Sequence, residues 1–203
     1  VSLGRALRLW IRLSLLFALA VILLGIADDA GLPAARALLG HLPAITNPAP
    51  RAPAAPPSAS PTARADIPAP YLHWYQRAAN SCPHLPWTVL AAVGKVESNH
   101  GRSPLPGVRS AANRAGAAGP MQLGIGGKAG PTWQHYRVDA DHDGASVYDL
   151  PDAITAAAHK LCADGARHAD LRGALFAYNH SGRYVDRVLT LARRYATTRE
   201  AGR

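Results

Sequence analysis

Glutamate is almost missing from this chain of 203 residues: it occurs at Glu97 and again at Glu200, in the last few residues. A mechanism built on two glutamates is therefore excluded, and Glu97 carries any glutamate chemistry alone. Cysteine is equally scarce, at Cys82 and Cys162 only, and that spacing rules out a Cys-x-x-Cys redox or metal motif. Runs of alternating β-branched residues are nearly absent, which argues against a sheet-based domain. There is no internal repeat, so no solenoid. The basic residues form no block and no stripe interleaved with aromatics, as nucleic-acid readers would show.

What is present is charge of one sign. The formal balance is +9, with Arg far ahead of Lys, which points to a polyanionic partner or a negatively charged surface. Bacterial cell wall and anionic lipid rank ahead of nucleic acid. Arg5, Arg8 and Arg12 precede an unbroken apolar run from Leu13 to Ile26, basic-then-apolar as export signals are, with Gly25-Ile26-Ala27 as a small-x-small cleavage site. Residues 1–29 are read as a cleaved signal peptide in preference to a membrane anchor. Residues 30–66 follow as a disordered Pro- and Ala-rich linker, in which proline holds an extended backbone without ladder hydrogen bonds. A single domain is expected over 67–197, with a short tail at 198–203.

Within that domain the apolar positions recur at helical spacing, so the fold is expected to be mainly α. Pro70 and Pro86 each suit a first helical position; the second opens an apolar run that closes on Glu97. Another helix follows Pro151, with a stripe of Ile154, Ala157, Ala158 and Leu161, and two more end the domain, one leading into Tyr178-Asn179 and one carrying Val185, Val188 and Ala192. The Gly-, Pro- and Ala-rich stretch from Gly101 to Pro131 reads as a loop lining a cleft. A carboxyl at the end of an apolar helix is placed to act as a general acid, because burial disfavours its charged form and raises its pKa toward working pH.

Asp139-Ala-Asp141-His-Asp143-Gly144 matches the opening of an EF-hand loop, in which alternate carboxylates and a glycine turn wrap a calcium ion. Ala145 would add its carbonyl, and Asp152 would replace the closing glutamate, since Leu150 stands at the twelfth place. In an exported domain Cys82 and Cys162 are expected to pair, in preference to two buried thiols. Gly116-Ala-Ala-Gly-Pro-Met-Gln122 joins backbone freedom to one amide, and Tyr178-Asn179 puts a phenol and an amide at a helix end. Each alone is a weak signal.

In this order, these segments resemble the lytic transglycosylases of the lysozyme-like superfamily, in particular the exported actinobacterial type; the resemblance runs from about Ile67 to Tyr195. It implies a lysozyme-like helical domain that acts on peptidoglycan glycan strands. The protein is expected to be secreted or membrane-anchored and monomeric, with no nucleic-acid partner. It implies Glu97 as catalytic acid, Gln122, Tyr178 and Asn179 in the sugar-binding cleft with Asn113, Tyr184 and Trp133 beside them, and calcium on the aspartate loop. Two-carboxylate glycosidases would need a partner for Glu97, and outside the aspartate loop only Asp164, Asp170 and Asp186 are left within the motif-bearing segment. The expectation is that none of them serves. The substrate acetamide would then assist, and a 1,6-anhydro product would form without water. A hydrolytic muramidase, a non-catalytic wall-binding module and an exported nucleic-acid-binding protein are the alternatives.

Overall fold

The computed structural model describes residues 58–196, all within the second of two units, Ala55–Arg203, into which the chain divides. The expected signal or anchor segment, most of the linker and the tail lie outside the described residues. No helix among the described residues is long and apolar enough to cross a membrane. The domain is mainly helical, as the spacing predicts: α1 (Pro61–Asp66), α2 (Ala69–Ala79), α3 (Trp87–Ser98), α4 (Thr132–Tyr136), α5 (Leu150–Ala163), α6 (Leu171–Asn179) and α7 (Gly182–Ala196). One two-stranded antiparallel hairpin, β1 (Ala117–Ala118) and β2 (Leu123–Gly124), interrupts them, in register Ala117 to Gly124 and Ala118 to Leu123.

The core forms around α3. Leu90, Ala91, Ala92 and Val93 are fully buried, and the helix lies most extensively against α7, with α2 and α5 beside it. Small residues let the helices approach closely. At Gly94 an added Cβ would collide with the Tyr75 hydroxyl of α2, so that crossing needs glycine. Ala153, Ala156, Ala157 and Ala158 give α5 a buried surface of the same kind. Asp149 caps α5 by accepting from the Asp152 amide, and Pro151 occupies the first turn, where its missing N–H is not needed.

The folded domain starts earlier than the composition suggests. Pro61–Asp66, expected to be linker, is a helix with Ser60 as its N-cap, the Ser60 hydroxyl accepting from the Ala63 amide at 3.1 Å. Asp66 then ties this helix to the rest of the domain, accepting from Lys95 Nζ at 2.5 Å and from the Tyr195 hydroxyl at 2.6 Å. Proline at the first position of a helix and proline in an extended linker look alike in a Pro/Ala-rich sequence; the cap and the tertiary ion pair decide between them.

Cys82, just after α2, and Cys162, near the end of α5, form a disulfide as expected. It closes a sequence separation of 80 residues that contains Glu97, the hairpin and the aspartate loop.

Candidate active site

α3 ends one residue past Glu97, and the chain leaves it through two left-handed residues, Asn99 and His100, whose amides return to the Gly94 carbonyl. Asparagine tolerates this conformation better than most side chains, so the stop is local and sharp. Ser98 fastens the helix end to the next segment: its hydroxyl donates to the Pro120 carbonyl at 2.5 Å and accepts from the Gly101 amide at 2.7 Å. His100 is fully buried between the hydroxyls of Tyr75 and Tyr195, at 3.0 and 3.3 Å, and burial holds its pKa down at about 4. A neutral imidazole and two phenols thus anchor the turn behind the carboxylate.

Glu97 itself opens onto a cleft of about 420 Å³, yet protein surrounds it on most sides. Burial pushes its pKa up to about 7, opposed by the Tyr184 hydroxyl, which donates to Oε1 at 2.7 Å. The group is therefore poised to hold and release a proton near neutrality.

The cleft draws together residues far apart in sequence. Asn113, Gln122, Tyr178 and Asn179 all line it. Their hydrogen bonds set what each can offer. Gln122 sits in the left-handed region at φ 50°, a placement that costs about 1 kcal/mol or more for a residue other than glycine. Its amide accepts from Asn113 Nδ2 at 2.9 Å and donates to the Gly119 carbonyl at 2.9 Å, while Asn113 Oδ1 takes the Ala115 and Ala117 amides. Asn113 and Gln122 thus form a rigid polar wall along the hairpin. The Tyr178 hydroxyl donates to the Met121 carbonyl at 2.8 Å and pins α6 to that wall, leaving its oxygen to accept from a ligand. Asn179 is exposed and its side-chain amide has no hydrogen-bond partner among the described residues, so that amide is available to a ligand.

Two expected cleft residues lie elsewhere. Tyr184 is 8% exposed, its ring parallel to that of Tyr178 at 6.4 Å, and its hydroxyl serves Glu97. It is a positioning residue beneath the carboxylate. Trp133 is buried in the core on α4. Conversely, Lys128, Lys160 and His180 line the cleft although the sequence motifs assign none of them to a ligand. Lys160 is paired with Asp164 at 2.6 Å and lies 5.6 Å from the centre of the Tyr178 ring. A lone lysine in the Ala- and Leu-rich sequence of α5 was the available signal for it.

Among the described residues, Glu97 is the only carboxylate lining the cleft. The three aspartates that might have joined it are engaged elsewhere: Asp164 by Lys160, Asp170 as the N-cap of α6 through the Gly173 amide at 2.8 Å, and Asp186 by Arg172 at 2.9 Å.

The aspartate loop precedes α5. Carboxylate oxygens of Asp139, Asp141 and Asp152 lie within 4.8 Å of one another, as do those of Asp141, Asp143 and Asp149. Asp149, the N-cap of α5, also joins the group. Repulsion from Asp141 raises the Asp143 pKa. Asp152 is buried and shapes the loop, accepting from the Ala140 amide at 2.6 Å and the Ser146 amide at 2.8 Å. A set of hard oxygen donors of like charge fits a hard divalent cation. The Ala145 side chain packs against the core beside these carboxylates.

No family model, curated protein or solved structure matches this chain.

Proposed function

We propose that this protein is a peptidoglycan lytic transglycosylase with a lysozyme-like domain, cleaving the β-1,4 bond between N-acetylmuramic acid and N-acetylglucosamine outside the cytoplasm. The observation that carries this reading is a single partly buried carboxyl of pKa about 7, alone of its kind in a polar cleft. With no second carboxylate lining the cleft among the described residues to serve as nucleophile or to activate water, one group acts in both directions. Protonated Glu97 gives its proton to the glycosidic oxygen as the C1–O4 bond breaks, and the substrate acetamide stabilises the positive anomeric carbon. The Glu97 carboxylate then takes the proton from the muramoyl 6-hydroxyl, whose oxygen bonds to C1. The ring closes, the acid is regenerated, and no water is consumed. Asn179, free to donate, and the Tyr178 oxygen, free to accept, would orient the acetamide.

The test is the digestion product. Mass spectrometry of muropeptides from purified sacculi should find 1,6-anhydro ends; reducing ends in their place would make the enzyme a hydrolytic muramidase.

Tyr184→Phe tests the positioning role. The hydroxyl stabilises the charged carboxylate, so its loss should raise the Glu97 pKa further and move the ionisation seen in the pH–rate profile to higher pH. The rate should fall by about ten-fold, with KM little changed. A profile that does not move would assign Tyr184 to packing alone.

The aspartate loop is read as a structural calcium site held by Asp139, Asp141, Asp143, Asp152 and the Ala145 carbonyl, with Asp149 at its edge. Calcium there would neutralise the crowded carboxylates and fix the loop against α5; it supplies no chemistry to the cleft. Calcium at a hundred times its Kd should stabilise the fold by about 2.7 kcal/mol, and a chelator should lower the thermal midpoint correspondingly. A midpoint indifferent to both would remove the metal from this account.

A further inference from the structure

The charge of +9 is not used by the cleft, where the lining cations are Lys128 and Lys160 and the second is already paired. Part of it lies on α7, which carries Arg183, Arg187, Arg193 and Arg194 against one carboxylate, Asp186, itself paired with Arg172. Arg183, Arg187 and Arg194 recur at intervals of four and seven, which keeps them on one face of the helix, about 6 Å and about 10 Å apart along its axis. All three are exposed, and none has a hydrogen-bond or ion-pair partner for its guanidinium among the described residues. They edge a groove between α3 and α7 of about 520 Å³ whose floor includes Val96 and Leu191. A second hollow of about 530 Å³ shares Lys95, Leu191 and Arg194 with it and continues the groove past α1. Lys95 and Glu97 are two residues apart, about 200° around the helix, so the groove lies on the face of α3 turned away from the cleft.

We propose that this groove binds a linear phosphodiester polymer of polyol units, holding the protein to an anionic matrix while the cleft stays free. The guanidinium stripe suits phosphate, which arginine contacts through two parallel donors. The apolar floor between the cations suits the short hydrocarbon links of a polyol chain. A flat anionic bilayer would meet the rims and leave this floor empty. A single-stranded nucleic acid would need aromatic faces for its bases, and among the described residues the only aromatic ring along the groove, Tyr195, is fully buried.

The test uses the full chain and a fluorescently labelled glycerol-phosphate oligomer, with anisotropy as the readout. Combined Arg183→Gln, Arg187→Gln and Arg194→Gln should weaken binding by about ten-fold or more and flatten its salt dependence. A charge-matched control with Arg77→Gln, Arg109→Gln and Arg114→Gln should change binding by less than about two-fold. Thermal unfolding checks that both variants fold, and Arg187→Gln alone carries the same comparison at smaller amplitude. Equal loss in both combined variants would overturn the proposal in favour of diffuse charge. Tighter binding of a thymidine oligonucleotide or of phosphatidylglycerol vesicles would overturn it in favour of those partners.

Discussion

Glu97→Gln is expected to remove wall lysis, lowering the rate by about 10³-fold or more, and at the same time to make the protein more stable in alkaline solution. Both effects come from one buried carboxyl. In the unfolded chain the group titrates near its ordinary value of 4.5, and in the folded chain near about 7. Between those values the native state holds a proton that the unfolded state has released. Wild-type stability therefore declines as pH rises through this window, and the cost is fully present above about 7. At 1.36 kcal/mol per unit the deficit is of order 3 kcal/mol. Glutamine never ionises, and its side-chain oxygen keeps the place of the Tyr184 hydrogen bond. Urea unfolding at about pH 5 and about pH 8 reads the difference: the two proteins should diverge as pH rises, the variant becoming the more stable. Parallel stability curves would mean that Glu97 is not desolvated, and retained lysis would end its assignment as the acid. A wall-binding module without catalysis predicts no loss of lysis at all.

The local half of this site was readable from sequence. An apolar run that stops at a carboxylate, followed by Ser98-Asn99-His100-Gly101, marks both the helix and its end, because capping and left-handed turns depend on neighbours along the chain. The same holds for Asp149 and Pro151 at the start of α5. The order of the motifs groups Gln122, Tyr178 and Asn179 with Glu97, and all four line one cleft. What could not be read was who touches whom. A tyrosine 87 residues from Glu97 carries no local mark that its hydroxyl will serve a carboxylate and not a sugar. Trp133 offers the same ring to a core or to a ligand, and burial alone separates the two. At α1 a signal did exist, Ser60 before Pro61, but the surrounding Pro/Ala composition masked it, and the decisive contacts of Asp66 with Lys95 and Tyr195 are again long-range.

Replacing Cys82 and Cys162 by serine should lower stability substantially. In the chain-entropy description, closing a loop of this length restricts the unfolded ensemble by about 4 kcal/mol. That is a large part of the 5–15 kcal/mol typical of whole domains, ~10 °C or more in thermal midpoint for a domain of this size. The loop also carries much of the candidate site: Glu97, Asn113, Gln122 and every aspartate of the acidic loop. Its two ends sit after α2 and near the end of α5, two helices that pack against each other. Without the bond, that packing alone must hold the loop's ends together. Reduced or serine-substituted protein should therefore lose lytic activity on heating well before the oxidised form, while the two have similar activity at low temperature, where both are folded. Equal thermal midpoints with and without reductant would show that helix packing suffices. Loss of activity at low temperature with the midpoint unchanged would place the bond's role in shaping the cleft.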